Sequence, residues 1–154
     1  MPGEEPRVVK GRINLPYQWA LGPAFTRFFE EFRNQRIMAT RCGECGRTLV
    51  PARAFCPRCF RDMGEWVRVK DEGTLQSWVL INFPYQGQPR EPPYIIGVIR
   101  LEGADNGFSH FVGGLESYDI DRARQAVRIG MRVRAVWSEK REGSIFDIEH
   151  FAPA

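Results

Sequence analysis

Arg41-Cys42-Gly43-Glu44-Cys45-Gly46 and, after a short loop, Ala54-Phe55-Cys56-Pro57-Arg58-Cys59-Phe60 hold every cysteine of the chain, in the spacing C-x2-C-x10-C-x2-C. Two C-x-x-C hooks this close bring four thiolates to one point, the donor set of a tetrahedral metal. Glycines follow Cys42 and Cys45, where a tight turn needs positive φ and backbone N–H groups can face sulfur. Soft four-thiolate sites take zinc or iron. Zinc is the default, and a rubredoxin-type iron centre competes with it. Against iron, Phe60 stands where that knuckle usually has glycine, and the inter-hook loop is short. A closed four-thiolate site has no open position, so its expected role is structural.

Outward from the hooks, Ile37–Arg41 leads in as a short strand and Thr48-Leu49-Val50 reads as another, which makes a ribbon. Upstream, Pro23 is suited to a first helical turn. Phe25, Phe28, Phe29 and Phe32 then recur at i, i+3, i+4, i+7, the stripe of an amphipathic helix. Residues 1–22, which contain Pro2, Pro6, Pro16 and Gly22, read as an arm in which Tyr17, Trp19 and Leu21 alternate. Downstream the pattern becomes all-β. Strands are expected at 74–81, 94–101, 108–112, 131–137 and 145–151, with a short helix at 119–127 between the third and fourth. Five strands with that helical connection follow the plan of an OB-fold, a small Greek-key barrel. The expected fold is mainly β with an N-terminal helix. Its boundaries are an arm at 1–22, helix and four-cysteine ribbon at 23–64, and a five-stranded OB barrel at 65–154.

Composition narrows the function classes. The 154 residues are 43% hydrophobic and 27% charged, ordinary for a globular chain. No run approaches the ~18 apolar residues of a membrane span. Met1-Pro2-Gly3-Glu4-Glu5 lacks the plan of a signal peptide, and reduced cysteines point to the cytoplasm. Residues 1–64 carry 11 Lys+Arg against 6 Asp+Glu, whereas residues 65–154 carry 11 against 13. The basic half is therefore the ribbon half. Its cations are almost all arginine, which suits bidentate contacts with carboxylates and phosphates as well as a merely solvated face. His110 and His150, the two histidines, both fall in expected strands, where packing is the ordinary role.

The order of these segments resembles the zinc-ribbon/OB-fold proteins that accompany thiolase-fold and other acyl-CoA enzymes. The resemblance spans roughly residues 24–152. It is carried by Phe25-Thr26-Arg27-Phe28-Phe29, the two hooks, Val50-Pro51-Ala52-Arg53-Ala54-Phe55, Asp71-Glu72-Gly73-Thr74-Leu75, Pro93-Tyr94-Ile95-Ile96-Gly97-Val98-Ile99-Arg100-Leu101-Glu102-Gly103 and Ile129-Gly130-Met131-Arg132-Val133. It implies a non-catalytic subunit, with structural Zn2+, in a hetero-oligomer with a thiolase or thiolase-fold aldolase. Such a subunit stabilises its partner and helps form a shared CoA or acyl-CoA site. On that reading Arg53, Arg58 and Arg61 are candidate contacts for CoA phosphates. Tyr17, Trp19, Phe25, Phe28, Phe29 and Phe32 are candidates for the partner interface, because interface cores favour aromatic residues. With every cysteine assigned to metal, no activated thiol remains for thiolase chemistry by this chain alone. Two alternatives stay open. One is a nucleic-acid-binding module, disfavoured by the net acidic barrel; the other is a rubredoxin-like electron carrier.

Overall fold

A computed structural model describes residues 16–154; the first fifteen residues of the arm expected at 1–22 lie outside the described residues. Helix α1 spans Gly22–Phe32, with Pro23 in its first turn. Strands β1 (Ile37–Arg41), β2 (Thr48–Leu49) and β3 (Glu65–Val69) form a three-stranded antiparallel sheet in the order β2-β1-β3. The boundary expected at residue 64 therefore falls at the head of a strand that returns to the ribbon. Arg41 pairs Glu65 and Ile37 pairs Val69, so β3 completes the sheet before the chain enters the barrel.

The barrel consists of β4 (Glu72–Ile81), β5 (Tyr94–Leu101), β6 (Phe108–Val112), β7 (Arg132–Trp137) and β8 (Ile148–Pro153), closed in the order β4-β5-β6-β8-β7. Helix α2 (Ile120–Ala126) links β6 to β7, capped by Asp119, whose Oδ1 accepts from the N–H groups of Asp121 and Arg122. In β7, Val133 and Ala135 are buried between exposed Arg132 and Arg134, the alternation of a half-buried strand. Gly97 sits at a tight point of the core. A Cβ there would lie 2.5 Å from a Leu75 methyl and 2.7 Å from a Val112 methyl, so any side chain would force the packing between β4, β5 and β6 to shift.

Three expectations change. The last strand begins at Ile148, because Ile145–Asp147 form a 3-10 turn. Asp147, inside the strand expected at 145–151, instead closes that turn, buried and accepting from the N–H groups of Glu142 and Gly143 and from Ser144 Oγ. Phe28 and Phe32, expected at a partner interface, are fully buried in the chain's own core. Phe28 meets Phe108 of β6 edge-on at 6.4 Å, and Phe32 meets Trp137 of β7 at 5.6 Å. The helix thus packs against the barrel, because its stripe is the apolar surface that covers the joint between barrel and ribbon.

Polar contacts lock the same joint. Thr48 N–H donates to Asp105 Oδ2 at 2.8 Å, and Asp105 N–H donates to the Thr48 carbonyl at 2.8 Å. Val50 N–H donates to Asn106 Oδ1 at 2.9 Å, and Asn106 Nδ2 donates to the Val50 carbonyl at 2.6 Å. The β5–β6 turn so provides, largely with side chains, the ladder that the short β2 lacks on its outer side. On the far side, Arg141 Nε donates to the Arg33 carbonyl at 3.0 Å, and Arg33 reaches the Glu142 carbonyl.

Candidate metal centre and aromatic face

The two hooks fold as near copies. In the first, Cys42 N–H donates to the Arg47 carbonyl and Gly46 N–H to the Cys42 carbonyl, each at 2.9 Å. In the second, Cys56 N–H donates to the Arg61 carbonyl at 2.8 Å and Phe60 N–H to the Cys56 carbonyl at 2.9 Å. The residue after each second cysteine turns left-handed: Gly46 at φ 72° and Phe60 at φ 53°. Gly43, also expected at positive φ, does not adopt it; the knuckle needs that conformation once.

The sulfurs of Cys42, Cys45, Cys56 and Cys59 lie within 4.8 Å of one another, and Cys45 Sγ is 3.8 Å from Cys56 Sγ. All four cysteines are free thiols. A tetrahedron with Zn–S bonds of about 2.3 Å has edges of about 3.8 Å, so the donor set fits zinc. Electrostatics agree, because thiolates this close cannot all ionise without a cation between them. The backbone N–H of Cys59, ahead of other neighbours, draws the Cys56 thiol down to about 7, while the hydrogen bond from Cys45 pushes the Cys59 thiol up to about 12. Leu49 and Met63 cover the buried cysteines, Cys42 and Cys56, and make a small second core around the centre.

Arg53, Arg58 and Arg61 are all exposed on the second hook. Arg58 lies between its cysteines, and the Phe55–Asp62 bridge lays the run-in bearing Arg53 beside the run-out bearing Arg61. Thr40 Oγ1 fixes the backbone of Arg53, accepting from its N–H and donating to its carbonyl. Four arginines outside this hook form ion pairs, Arg33 with Glu30, Arg36 with Glu31, and Arg132 and Arg134 with Glu72, and the other arginines outside the hook form none among the described residues. Among the described residues, none of the three ribbon arginines forms an ion pair.

The aromatics divide sharply. Tyr17 and Trp19 are exposed, and Trp19 stands edge-on to Phe25 at 6.1 Å. Phe25 and Phe29 are half-buried and bridge Trp19 to the buried Phe28 and Phe32. Sequence reasoning missed Phe55 and Phe60, which are exposed beside the ribbon arginines, Phe60 to 80%. The one available signal was a phenylalanine at a position that geometry reserves for glycine.

The histidines serve packing. His110 sits among Phe108, Phe111 and Phe151, with Nε2 at 3.0 Å from the Ile145 carbonyl and Nδ1 without a partner among the described residues. Burial holds its pKa down to about 4, so it is neutral at physiological pH.

Residues 29–64 match the model of the ChsH2 rubredoxin-like zinc ribbon domain, and residues 66–138 match that of the ChsH2 C-terminal OB-fold domain. The chain belongs to the ChsH2-type zinc-ribbon/OB-fold family. A DUF35 domain-containing scaffold protein of Methanothermobacter thermautotrophicus is 26% identical over 107 residues, covering 69% of this chain and 74% of the relative. A protein of the same description from Pyrococcus furiosus is 28% identical over 78 residues, covering 50% and 57%. Two solved structures share the fold. A DUF35-family protein of unknown function from Sulfolobus solfataricus superposes with TM-score 0.63 at 24% identity, over 86% of this chain and 87% of that one. A chain of the Ltp2-ChsH2(DUF35) aldolase superposes with TM-score 0.64 at 22% identity, over 88% and 98%. Membership fixes the ribbon-plus-barrel architecture. No helix among the described residues is long and apolar enough to cross a membrane.

Proposed function

We propose that this protein is a non-catalytic accessory subunit of an enzyme acting on CoA thioesters, a thiolase or a thiolase-fold aldolase. It docks through the arm and the second hook. The observation that carries this reading is the concentration of exposed aromatics and unpaired arginines at the ribbon end: Tyr17, Trp19, Phe55 and Phe60 with Arg53, Arg58 and Arg61. Aromatic residues and arginine are the types that dominate interface hot spots. The scaffold description of the two archaeal relatives and the aldolase complex among the structural neighbours support the same reading. So does the chemistry of the chain: its cysteines form the metal centre, and His110 is buried and neutral. In the complex, zinc holds the second hook in shape, and its arginines meet phosphate groups of CoA at the subunit boundary.

Co-expression with the thiolase-fold enzyme of the same host tests the reading. A stable hetero-oligomer is expected by light scattering, with acyl-CoA turnover dependent on the partner. Trp19→Ala is expected to weaken the complex by ~2 kcal/mol or more, about thirtyfold, while leaving the unfolding midpoint of the free chain unchanged. Affinity for 3′-dephospho-CoA that equals affinity for CoA would remove the phosphate contact. Acyl-CoA turnover by the purified chain alone would remove the accessory role.

A further inference from the structure

Far from the ribbon arginines, the barrel carries a concave cleft of about 290 Å³ at the place where OB-folds bind their ligands. Its floor is Ile96 of β5 beside Phe111 of β6, which face each other across the ladder. Pro89 of the β4–β5 loop and Ile145 and Phe146 of the β7–β8 loop form the walls. Strands two and three of the barrel and these two loops are the elements that line an OB binding face. Here the lining is mostly hydrocarbon and aromatic, with Ser109 and the neutral, buried imidazole of His110 as its polar side chains. Phe146, although it is a wall, remains 56% exposed, so the fold itself does not bury it. A larger hollow beside α2 mixes Leu115, Ala126 and Pro153 with Glu116, Ser117, Arg122 and Gln125, so its lining is much more polar.

Two features select the occupant. The first is charge. The β4–β5 loop, residues 82–93, carries one arginine and one glutamate, and residues 138–147 carry two cations against three anions. A single-stranded nucleic acid needs a basic groove, and neither loop provides one. The second is Arg90. Its guanidinium lies 3.9 Å above the Phe111 ring and donates to the Glu149 carbonyl at 3.4 Å, which fixes one cation at the mouth of an apolar cleft. An apolar body with one electron-rich end matches both features. We propose that this cleft binds the hydrocarbon part of an acyl chain, with Arg90 at the carboxylate or thioester end. The inference rests on the reading of the protein as a subunit of an acyl-CoA enzyme and gives that reading a substrate class: acyl groups of medium length rather than acetyl.

The test uses the zinc-loaded full chain and straight-chain carboxylates from hexanoate to decanoate, with a ten-residue oligothymidylate as control. Titration calorimetry and amide NMR provide the readouts. Carboxylate binding is expected to tighten with length, up to about fourfold per methylene, with shifts confined to residues 89–96, 109–111 and 145–146. Phe146→Ser is expected to weaken decanoate at least fivefold with an unchanged unfolding midpoint. Arg90→Gln is expected to erase the preference for decanoate over decanol. Affinity independent of chain length, tighter binding of the oligothymidylate, or full decanoate affinity in a folded Phe146→Ser chain would each overturn the proposal. Co-purification with the enzyme separates the two readings. If Phe146→Ser disrupts the complex and no carboxylate binds, the cleft is part of the subunit interface: the acyl assignment falls and the accessory role stands. If decanoate binds in the cleft and no acyl-CoA enzyme associates, the accessory role falls and the acyl site stands.

Discussion

Replacing Phe60 by glycine is expected to stabilise the isolated chain and weaken its complex. At φ 53° the Phe60 backbone is left-handed, a conformation costing an L-residue roughly 1–2 kcal/mol. Gly46 occupies the matching turn of the first hook at φ 72° with the same hydrogen bond. Glycine at residue 60 relieves that strain, but it returns about 0.4–1 kcal/mol through the greater freedom of the unfolded chain. With the side chain 80% exposed, little apolar burial is lost. The net gain is about 0.5–1 kcal/mol, or roughly 1–4 °C in the unfolding midpoint for a chain of this size. Thermal and urea unfolding at fixed free zinc measure it, because bound metal itself shifts the midpoint. The partner assay should move the other way, with loss of at least 1 kcal/mol of binding, since an aromatic held in a strained turn without internal packing is the kind of residue an interface uses. A Phe60→Gly chain less stable than the parent would refute the strain argument. One more stable with unchanged partner affinity would refute the docking role of Phe60.

Chelation of zinc, or Cys45→Ser, is expected to collapse the β1–β2 hairpin and lower the unfolding midpoint, read by circular dichroism beside metal analysis. Phe28→Ala is expected to cost about 3–5 kcal/mol in urea unfolding, because the ring is fully buried against Phe32 and Phe108, in contrast to the neutral Trp19→Ala. Stability is expected to fall as pH drops from about 6.5 to about 4. His110 takes up its proton readily when unfolded but resists it when folded, held down first by burial, with Arg90 and His150 acting in the same direction. The unfolded chain therefore binds more protons in that window, and about 3 kcal/mol present above it is lost below. A His110→Leu chain should show a flatter profile between those pH values.

The metal centre and barrel were legible in the sequence because both are written locally: paired hooks for one, alternating strands and a short helix for the other. The helix at 22–32 was equally legible, but its direction was not. An i, i+3, i+4, i+7 stripe shows that one face is apolar; only tertiary packing reveals that Phe28 and Phe32 meet Phe108 and Trp137. Strand β3 was hidden for a similar reason, since Glu65–Val69 pairs backwards across the hooks to β1. Asp147 fell within an expected strand and proves to be a buried acceptor in a 3-10 turn, because its donors come from the irregular residues just before it.

The clasp between the β5–β6 turn and β2 has a consequence for exchanging parts within the family. Asp105 and Asn106 engage Thr48 and Val50 through backbone groups that any strand of suitable shape offers, so the polar part of the recognition lies in two barrel side chains. A ribbon grafted from a relative should seat on this barrel when its second strand ends at the same height and its helix keeps the apolar residues that meet Phe108 and Trp137. The same ribbon should hang loose on a barrel whose turn lacks the aspartate–asparagine pair. Swapping docking specificity between relatives thus means moving residues 16–69, with the strand that completes the ribbon sheet, as a cassette while leaving residues 105 and 106 in place.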